Sequence, residues 1–324
     1  MSEQNSLINA CVLDGNGGAR DIDWDGIDSW QPSDGALWVH LDRHGAETET
    51  WLRTHSGLRA LHVDALLAEE TQPRAAIMGG GILITLRGVN LNPGADPEDM
   101  VSLRIWVDGH RMITVRLRRL MATTDVRDRL VDGTGPIDTG DLLRAIAGAL
   151  TQRMSPVISD LNDEIDALEK SVIDETVKGL RKRLNEIRRE AIALHRYLAP
   201  QRDAVAHLSV EGVAWLSADH RLGLRESADH VARIVEDLDA MRDRAAVIQD
   251  EIANRIAEHT NRNMYTLSVV AALMLPLGVI TGLFGMNVGG IPLADNKSGF
   301  LAITLLLSAV VILQVLIFRR LRWL

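Results

Sequence analysis

Two long uncharged segments close to the C-terminus constrain this chain more than any other feature of its sequence. Met264 to Met286 gives 23 residues without an acidic or basic side chain, and Gly299 to Phe318 gives 20 more. A helix needs about 20 predominantly apolar residues to cross the hydrocarbon core of a bilayer, so each segment is long enough. The sequence therefore predicts a membrane domain over residues 264–324, with crossings at about 264–285 and 299–318 and an outer loop at 286–298.

Basic side chains lie on one side of the two predicted crossings. Arg255 and Arg262 precede the first crossing and three arginines follow the second within residues 319–322, whereas the loop between them contains Lys297 as its one basic residue. By the positive-inside rule, both ends of the chain lie in the cytoplasm and the loop lies outside. Residues 1–16 lack a basic segment followed by an apolar run, which argues against a signal peptide. We therefore expect a multi-pass protein of the inner (plasma) membrane with a large cytoplasmic body.

The composition of the chain argues against several classes of protein. A formal net charge of -9 disfavours non-specific binding of nucleic acid. The single cysteine, Cys11, excludes an intrachain disulfide and a thiolate metal cluster. The glycines at 79–81 lack the Lys-Ser/Thr of a phosphate-binding loop, so they predict a turn. With no nucleophile–base motif either, we expect neither an enzyme nor a bound cofactor.

Residues 1–140 predict a cytoplasmic α/β domain. Apolar segments at 36–41, 82–89, 101–107 and 112–117 are typical of strands. The last two flank Asp108-Gly109, which predicts a hairpin because glycine accepts the positive φ of a tight turn. Segments rich in Gly, Pro and Asp at 93–99 and 133–140 predict loops. Residues 58–70 predict a helix with one apolar face, formed by Leu58, Leu61, Ala65 and Ala68.

Residues 141–263 predict a cytoplasmic stalk of long helices. Two series of apolar residues, over 158–198 and 231–252, recur at alternating intervals of three and four. Such heptad seams are typical of coiled-coil-like packing, and they offer a means of self-assembly. Pro200 is expected to end the first series because it cannot donate a helical N–H. The second should run into the first crossing as one helix from about Glu226 to Gly282, on the order of 85 Å long at 1.5 Å per residue.

One face of the first crossing carries many small or mildly polar side chains at intervals of three or four residues. We call this set the small-residue stripe: Asn261, Met264, Leu267, Ser268, Ala271, Leu275, Gly278 and Gly282. The opposite positions are larger and aliphatic: Val269, Val270, Leu273, Leu277 and Ile280. Small residues permit close helix packing and equally leave room for a pore, and their spacing does not decide between the two. Two crossings cannot enclose a water-filled path, so a pore requires several copies in a closed ring.

Gly285-Met286-Asn287 stands where the first crossing reaches the outer surface. Gly285 can leave helical geometry at low cost, and Asn287 offers a side-chain carbonyl and an amide. A ring of such carbonyls would hold a hydrated cation, as carbonyl rings do in ion filters. Gly and Asn are also common at the C-terminal ends of helices, and the chemistry alone leaves both interpretations open.

The tripeptide, its place after the first of two C-terminal crossings and the topology together resemble the CorA superfamily of divalent-cation transporters. The likeness extends over essentially the whole chain, including Leu275-Pro276-Leu277 and 281–284 in the first crossing and 66–67, 72–74 and 82–87 in the cytoplasmic domain. Residues 288–293 resemble the zinc-transporter branch of that superfamily, called ZntB. The resemblance implies a homopentameric funnel in the lipid membrane, lined by the long helices, with the second crossings outside them.

Carried over by position, the resemblance assigns pore-facing sites to the small-residue stripe and to Asn287, where a hydrated cation would bind transiently. Asp250 matches a funnel-facing acid, and Asp243 lies one heptad before it; the alternative for both is a solvated helix face with ion pairs. Leu275 and Gly278 stand where some magnesium transporters have Met and a hydroxyl residue. The loop also lacks the Glu that magnesium transporters often have after the signature. These departures favour zinc as the transported ion, with magnesium, cobalt, nickel and cadmium as alternatives.

The titratable residues leave the mechanism of transport open. Ten histidines are scattered along the chain without a cysteine partner, which disfavours a tight zinc site. Neither crossing contains an ionisable residue of the kind used in proton relays. Any group that couples transport to protons must therefore lie at the ends of the crossings, at Glu258, His259 or Asp295. The sequence predicts divalent-cation transport, most simply zinc uptake; the rivals are a magnesium/cobalt channel of the same architecture and a membrane-anchored scaffold without transport.

Overall fold

A computed structural model describes residues 6–69, 72–173, 179–210, 213–286, 288, 291–292 and 298–320. The chain divides into two compact units, Met1–Gln249 and Asp250–Leu324. The strands are β1 Leu7–Leu13, β2 Ala19–Ile22, β3 Leu37–Asp42, β4 Arg74–Met78, β5 Gly81–Gly88, β6 Val101–Val107 and β7 Arg111–Arg116. The helices are α1 Trp24–Ser29, α2 Thr48–Thr54, α3 Ala60–Leu67, α4 Met121–Val131, α5 Thr139–Ile173, α6 Leu180–Val210, α7 Ala218–Phe284 and α8 Gly299–Arg320.

One mixed sheet forms the centre of the first unit, with strand order β2-β1-β3-β7-β6-β5-β4. Antiparallel pairs build both halves, and one parallel pair, β3 with β7, joins them. Every residue of β6 is buried, as expected for a central strand covered on both faces. On one face, Leu83, Trp106 and Val115 pack with Val63 and Leu66 of α3. Helices α5 and α6 contact β5, so the sheet lies between two helical layers.

The structure confirms the four predicted strands to within one residue at most ends, and it adds three that the pattern did not reveal. Two of these, β2 and β4, lie at the edges of the sheet. Both have largely half-exposed or exposed residues. An edge strand needs no continuous apolar run, because one side of its backbone pairs and the other faces solvent. The third, β1, is buried toward its C-terminal end, and its segment LINACVL is apolar enough to have been assigned.

The apolar face predicted for the helix at 58–70 is partly wrong. The helix is present as α3, but Leu61 is 67% exposed. Its buried residues are His62, Val63 and Leu66. The His62 ring stacks on Trp106, with the ring centroids 4.2 Å apart. Hydrophobicity placed Leu61 inside, whereas the actual face is set by the aromatic surface that the sheet offers to His62.

The two predicted turns form, but for different reasons. Gly79 and Gly80 have φ of 59° and 87°, the left-handed values that a tight β4–β5 hairpin requires. Gly109, between β6 and β7, has no positive φ, so the reason given for that turn is wrong. The Asp108 carboxylate holds it instead, accepting from the N–H groups of His110 at 2.9 Å and Arg111 at 3.0 Å. A Cβ at position 109 would lie 3.1 Å from Cβ of Trp215, so close approach explains the glycine.

The heptad seams are filled within a single chain. In the first unit, the seam residues of α6 and α7 are buried, among them Leu184, Leu194, Leu238 and Ile248. Arg244 of α7 donates to Asp166 and Glu169 of α5 at 2.6 Å each. The Gln249 amide of α7 donates to Asn185 of α6 at 3.2 Å. The seams thus pack α5, α6 and α7 of one chain together, so these buried side chains are not exposed for contact with other copies.

Pro200 does not end its helix. Helix α6 continues to Val210 through the proline. Proline in a helix interior costs about 3 kcal/mol through the missing N–H and a steric clash. On either side of it, Leu198, Ala204 and Leu208 are buried, and burying a leucine contributes about 1.5–3 kcal/mol. The Gln201 side chain also accepts from the backbone N–H of Arg87 at 2.6 Å. Tertiary packing therefore outweighs the local penalty.

Candidate functional site

In the part of the chain that the structure describes, two helices are long and apolar enough to cross a membrane, α7 in its C-terminal part and α8. The predicted continuity of α7 is confirmed, and it begins at Ala218 rather than near Glu226. Helix α7 has no interior breaker between Gly223 and Pro276, and its first crossing carries no charge that would need water. The crossings end at Phe284 and begin again at Gly299, close to the predicted boundaries.

In the second unit, the bulky aliphatic face of α7 is partly buried. Val269 is buried, and Leu273, Leu277 and Ile280 are half-buried. Val270, expected on the same face, is exposed, because its 100° offset from Val269 carries it round the helix. The Gln314 side-chain amide of α8 donates to the carbonyl oxygen of Ala272 at 3.3 Å, which joins the two crossings at this face.

The small-residue stripe is exposed along its whole length in a single chain. Exposure is not special to the stripe, since Met274, Val279 and Leu283 are also exposed. The stripe differs in carrying two glycines, and a Cβ added at Gly278 or Gly282 would meet nothing within 4 Å. Close packing within the chain therefore does not require glycine at either position.

The predicted outer signature is only partly within the described residues. Gly285 follows the end of α7, and its N–H still donates to the carbonyl of Thr281 at 2.9 Å. Its φ is not positive, so Gly285 is not a left-handed helix cap. Met286 is exposed. Asn287, the residue expected to hold the cation, lies outside the described residues, as does Asp295.

Two acids of α7 precede the stripe in sequence, Asp243 in the first unit and Asp250 in the second. Asp243 and Asp250 are both exposed and lie seven residues apart, with exposed Val247 between them. Asp243 is 3.5 Å from Arg242, in an ion pair largely open to solvent. Such a pair is worth little, so the Asp243 carboxylate keeps most of its freedom. In the second unit, exposed Asn254 and Ala257 lie between Asp250 and Asn261 at steps of four, three and four residues. The predicted stripe began at Asn261 and did not include them.

The other predicted titratable residues within the described part of the chain are neighbours in sequence. Glu258 and His259 are exposed on α7. Three other histidines contact neighbours in the first unit: His195 approaches Asp239 at 3.6 Å, His220 approaches Asp138 at 3.4 Å and His230 approaches Ser155 at 3.1 Å. Within the described ranges, no group of three or more His, Cys, Asp or Glu side chains is placed to hold a metal ion.

Several titratable groups are buried inside the α/β sheet, away from α7. Burial, reinforced by the positive charge of Arg116, lowers the pKa of His40 to about 3. Its Nδ1 lies 2.8 Å from the hydroxyl of Thr114, which also accepts from the indole of Trp38 at 3.0 Å. Burial, with the charges of Arg43 and Arg87, lowers the pKa of Arg104 to about 10. These groups lie within the buried sheet of the first unit.

Gln314 is the functional candidate that the sequence analysis missed. It is the one strongly polar side chain in the second crossing, and a polar residue within an apolar run is a recognisable signal. Its partner could not be found by pattern alone, because the partner is a backbone carbonyl on another helix.

Comparison with known proteins gives matches over nearly the whole chain. The family model of the CorA-like Mg2+ transporter protein matches residues 33–320. The divalent cation transporter CmaX of Pseudomonas aeruginosa is 40% identical over 326 aligned residues, covering 99% of this chain and 98% of that one. The zinc transport protein ZntB of Pectobacterium atrosepticum is 37% identical, covering 95% and 93%.

Solved structures give the same picture of the fold. The structure of full-length CmaX matches with a TM-score of 0.88 at 40% identity and covers 100% of both chains. The CorA magnesium transporter of Methanocaldococcus jannaschii matches with a TM-score of 0.83 at 20% identity, covering 98% of this chain and 99% of that one. The latter identity is low, so that match concerns the fold alone.

Proposed function

Because the chain belongs to the CorA-like Mg2+ transporter family, we propose that it carries divalent cations across the inner membrane and that zinc is its principal cargo. The observation that supports cation transport most strongly is the 40% identity with the divalent cation transporter CmaX across 99% of the chain. A scaffold without transport would require neither that likeness nor a stripe of small residues that face open space.

The transport path in this proposal is built from several copies. One chain supplies two crossings, which cannot enclose water, and its heptad seams are already buried. In the second unit, the exposed line from Asp250 through the small-residue stripe is left as the surface that copies can turn toward a common axis. A closed homopentamer, with α8 outside and both termini cytoplasmic, fits this arrangement and the family. The division into residues 1–140, 141–263 and 264–324 belongs to the same proposal.

Each part of the line has its own role in the proposed path. Rings of Asp243 and Asp250 concentrate cations at the cytoplasmic end through their negative charge. Small side chains at Ala271, Gly278 and Gly282 leave room for an ion that keeps its water. Gly285, Met286 and Asn287 form the outer mouth, where carbonyl groups bind the hydrated cation transiently.

Two observations support zinc over magnesium. ZntB proteins described as zinc transporters are 37% and 36% identical over 95% of this chain. Leu275 and Gly278 also make the lining less polar than a magnesium path would require. The description of the family as Mg2+ transporters supports the second candidate, a magnesium/cobalt channel of the same architecture.

Uptake into proteoliposomes tests the proposal directly. Zinc and magnesium uptake should be compared with and without a pH gradient, and zinc uptake is expected to be the faster. Faster magnesium uptake selects the second candidate, and no uptake of either ion refutes transport. Proton coupling is supported if the rate of uptake depends on the pH gradient and if this dependence disappears when His259 or Asp295 is replaced. A rate of uptake that does not change with the pH gradient excludes coupling.

Replacing Asn287 by Ala tests the outer mouth. The substitution should abolish cation flux or change its selectivity while the oligomer stays intact. Ser308→Ala is the matched control, because the Ser308 hydroxyl donates to the backbone carbonyl of Thr304 in its own helix, at 2.9 Å. Unchanged flux in Asn287→Ala would remove Asn287 from the path.

A further inference from the structure

Pro276 leaves a hydrogen-bond vacancy inside the first crossing. Proline has no backbone N–H, so in a helix the carbonyl four residues before it loses its usual donor. Helix α7 continues through Pro276, and the carbonyl in question belongs to Ala272. In the hydrocarbon core no water replaces the missing donor, and an unsatisfied carbonyl there is costly.

Gln314 of α8 fills that vacancy. Its side-chain nitrogen donates to the Ala272 oxygen at 3.3 Å. The orientation of the amide follows from its partner, since a carbonyl oxygen can only accept and the amide nitrogen must therefore face it. Gln314 is the one amide side chain of the second crossing, and Pro276 is the one proline of the first. The amide thus contacts the backbone carbonyl whose usual donor that proline removes.

The glutamine is a poor choice if packing alone is considered. Its other polar atom, Oε1, is buried and has no hydrogen-bond partner. A buried polar atom without a partner costs free energy that a leucine or methionine would avoid. The hydrogen bond to Ala272 is the compensating feature that the structure shows.

We propose that Gln314 is a positioning residue for transport, which holds the outer part of the pore-lining helix in one orientation at Pro276. A proline without a substitute donor allows α7 to bend there, and residues 277–284 carry Gly278 and Gly282 of the stripe. The bond to Ala272 ties that bend to α8. This inference rests on the proposed transport path, and its test includes a measurement that needs no transport.

The first experiment is a double-mutant cycle on the full-length protein. Gln314→Met keeps the length of the side chain and removes the donor, and Leu313→Met is the control for methionine in α8 at an exposed site. Hydrogen bonds between membrane helices correspond to about a 3-fold to 15-fold shift in equilibrium, and a loss of zinc uptake of that size is expected. In a Pro276→Ala background the new N–H serves Ala272, so Gln314→Met should change little. An equal loss in both backgrounds overturns the proposal.

Rescue by a protonated acid separates a donor from a filler of space. Glu in place of Gln314, buried in an apolar span, holds its proton and can donate O–H to Ala272. At pH 6, Gln314→Glu should retain uptake close to that of the unaltered protein at that pH, whereas Gln314→Met should not. A Glu variant as slow as the Met variant refutes the role as a donor.

Spin labels at Leu283 and Leu301, in a Cys11→Ser background, report the geometry directly. Both sites are exposed, one at the end of α7 and the other at the start of α8. Gln314→Met should broaden or shift the distance between the labels, and adding Pro276→Ala should restore it. An unchanged distance overturns the inference. If the protein carries no divalent cation at all, the proposed function fails, and the distance measurement still decides the inference.

Discussion

Substituting Gly278 distinguishes a pore wall from a helix-packing surface by the sign of two measured changes. A Cβ at Gly278 meets nothing within 4 Å in one chain, so Gly278→Ala introduces no clash within the chain. Alanine is favoured over glycine in a helix interior by about 0.8–1.0 kcal/mol. If the position faces a path, the folded chain becomes more stable by about that amount while the path narrows. If a neighbouring helix packs there, the added methyl overpacks the contact and costs about 1–3 kcal/mol.

The assay compares three variants in thermal stability of the oligomer and in zinc uptake. Gly278→Ala should raise stability and lower uptake, and the larger Gly278→Val should nearly abolish uptake with the oligomer intact. Gly148→Ala in α5 is the matched control, because a Cβ there also meets nothing within 4 Å but the position lies in the first unit. It should gain the same stability without losing uptake. Full uptake in Gly278→Val, or an oligomer that dissociates, would refute the reasoning.

Three further predictions concern the cytoplasmic part of the chain. Burial lowers the pKa of His40 from 6.5 to about 3, so near pH 5 the unfolded chain binds a proton that the folded chain excludes. The free energy of unfolding should therefore be highest above pH 6.5 and should fall by about 2 kcal/mol from pH 7 to pH 5. Urea midpoints followed by tryptophan fluorescence measure this loss, and the same acid sensitivity in His40→Gln would contradict it. Thr114→Val leaves the buried Trp38 indole without its acceptor and should cost about 1–3 kcal/mol in the same assay, whereas exposed Thr54→Val should cost little. Asp250→Asn should slow zinc uptake, while Asp237→Asn, about 140° round α7 from Asp250, should not; equal effects would mean that only total charge matters.

Local patterns determined the elements whose identity depends on their own residues. The two crossings follow from runs of uncharged residues, because each unsatisfied charge in hydrocarbon is costly whatever surrounds it. The continuity of α7 follows from the absence of a breaker before Pro276. The hairpin between β6 and β7 follows from two apolar segments around Asp108-Gly109. The stripe on α7 follows from spacing, since 3.6 residues per turn set which side chains share a face.

Where competing interactions are close in energy, only the tertiary structure shows which of them forms. Pro200 ends a helix by local rules, but buried Leu198 and the bond from Arg87 to Gln201 keep α6 continuous. The heptad seams predicted self-assembly, and the fold uses them to pack α5, α6 and α7 of one chain. The vacancy at Ala272 is implied by Pro276, yet its donor lies 42 residues away on α8. A sequence pattern states what a residue needs, and only the fold shows which distant atom supplies it.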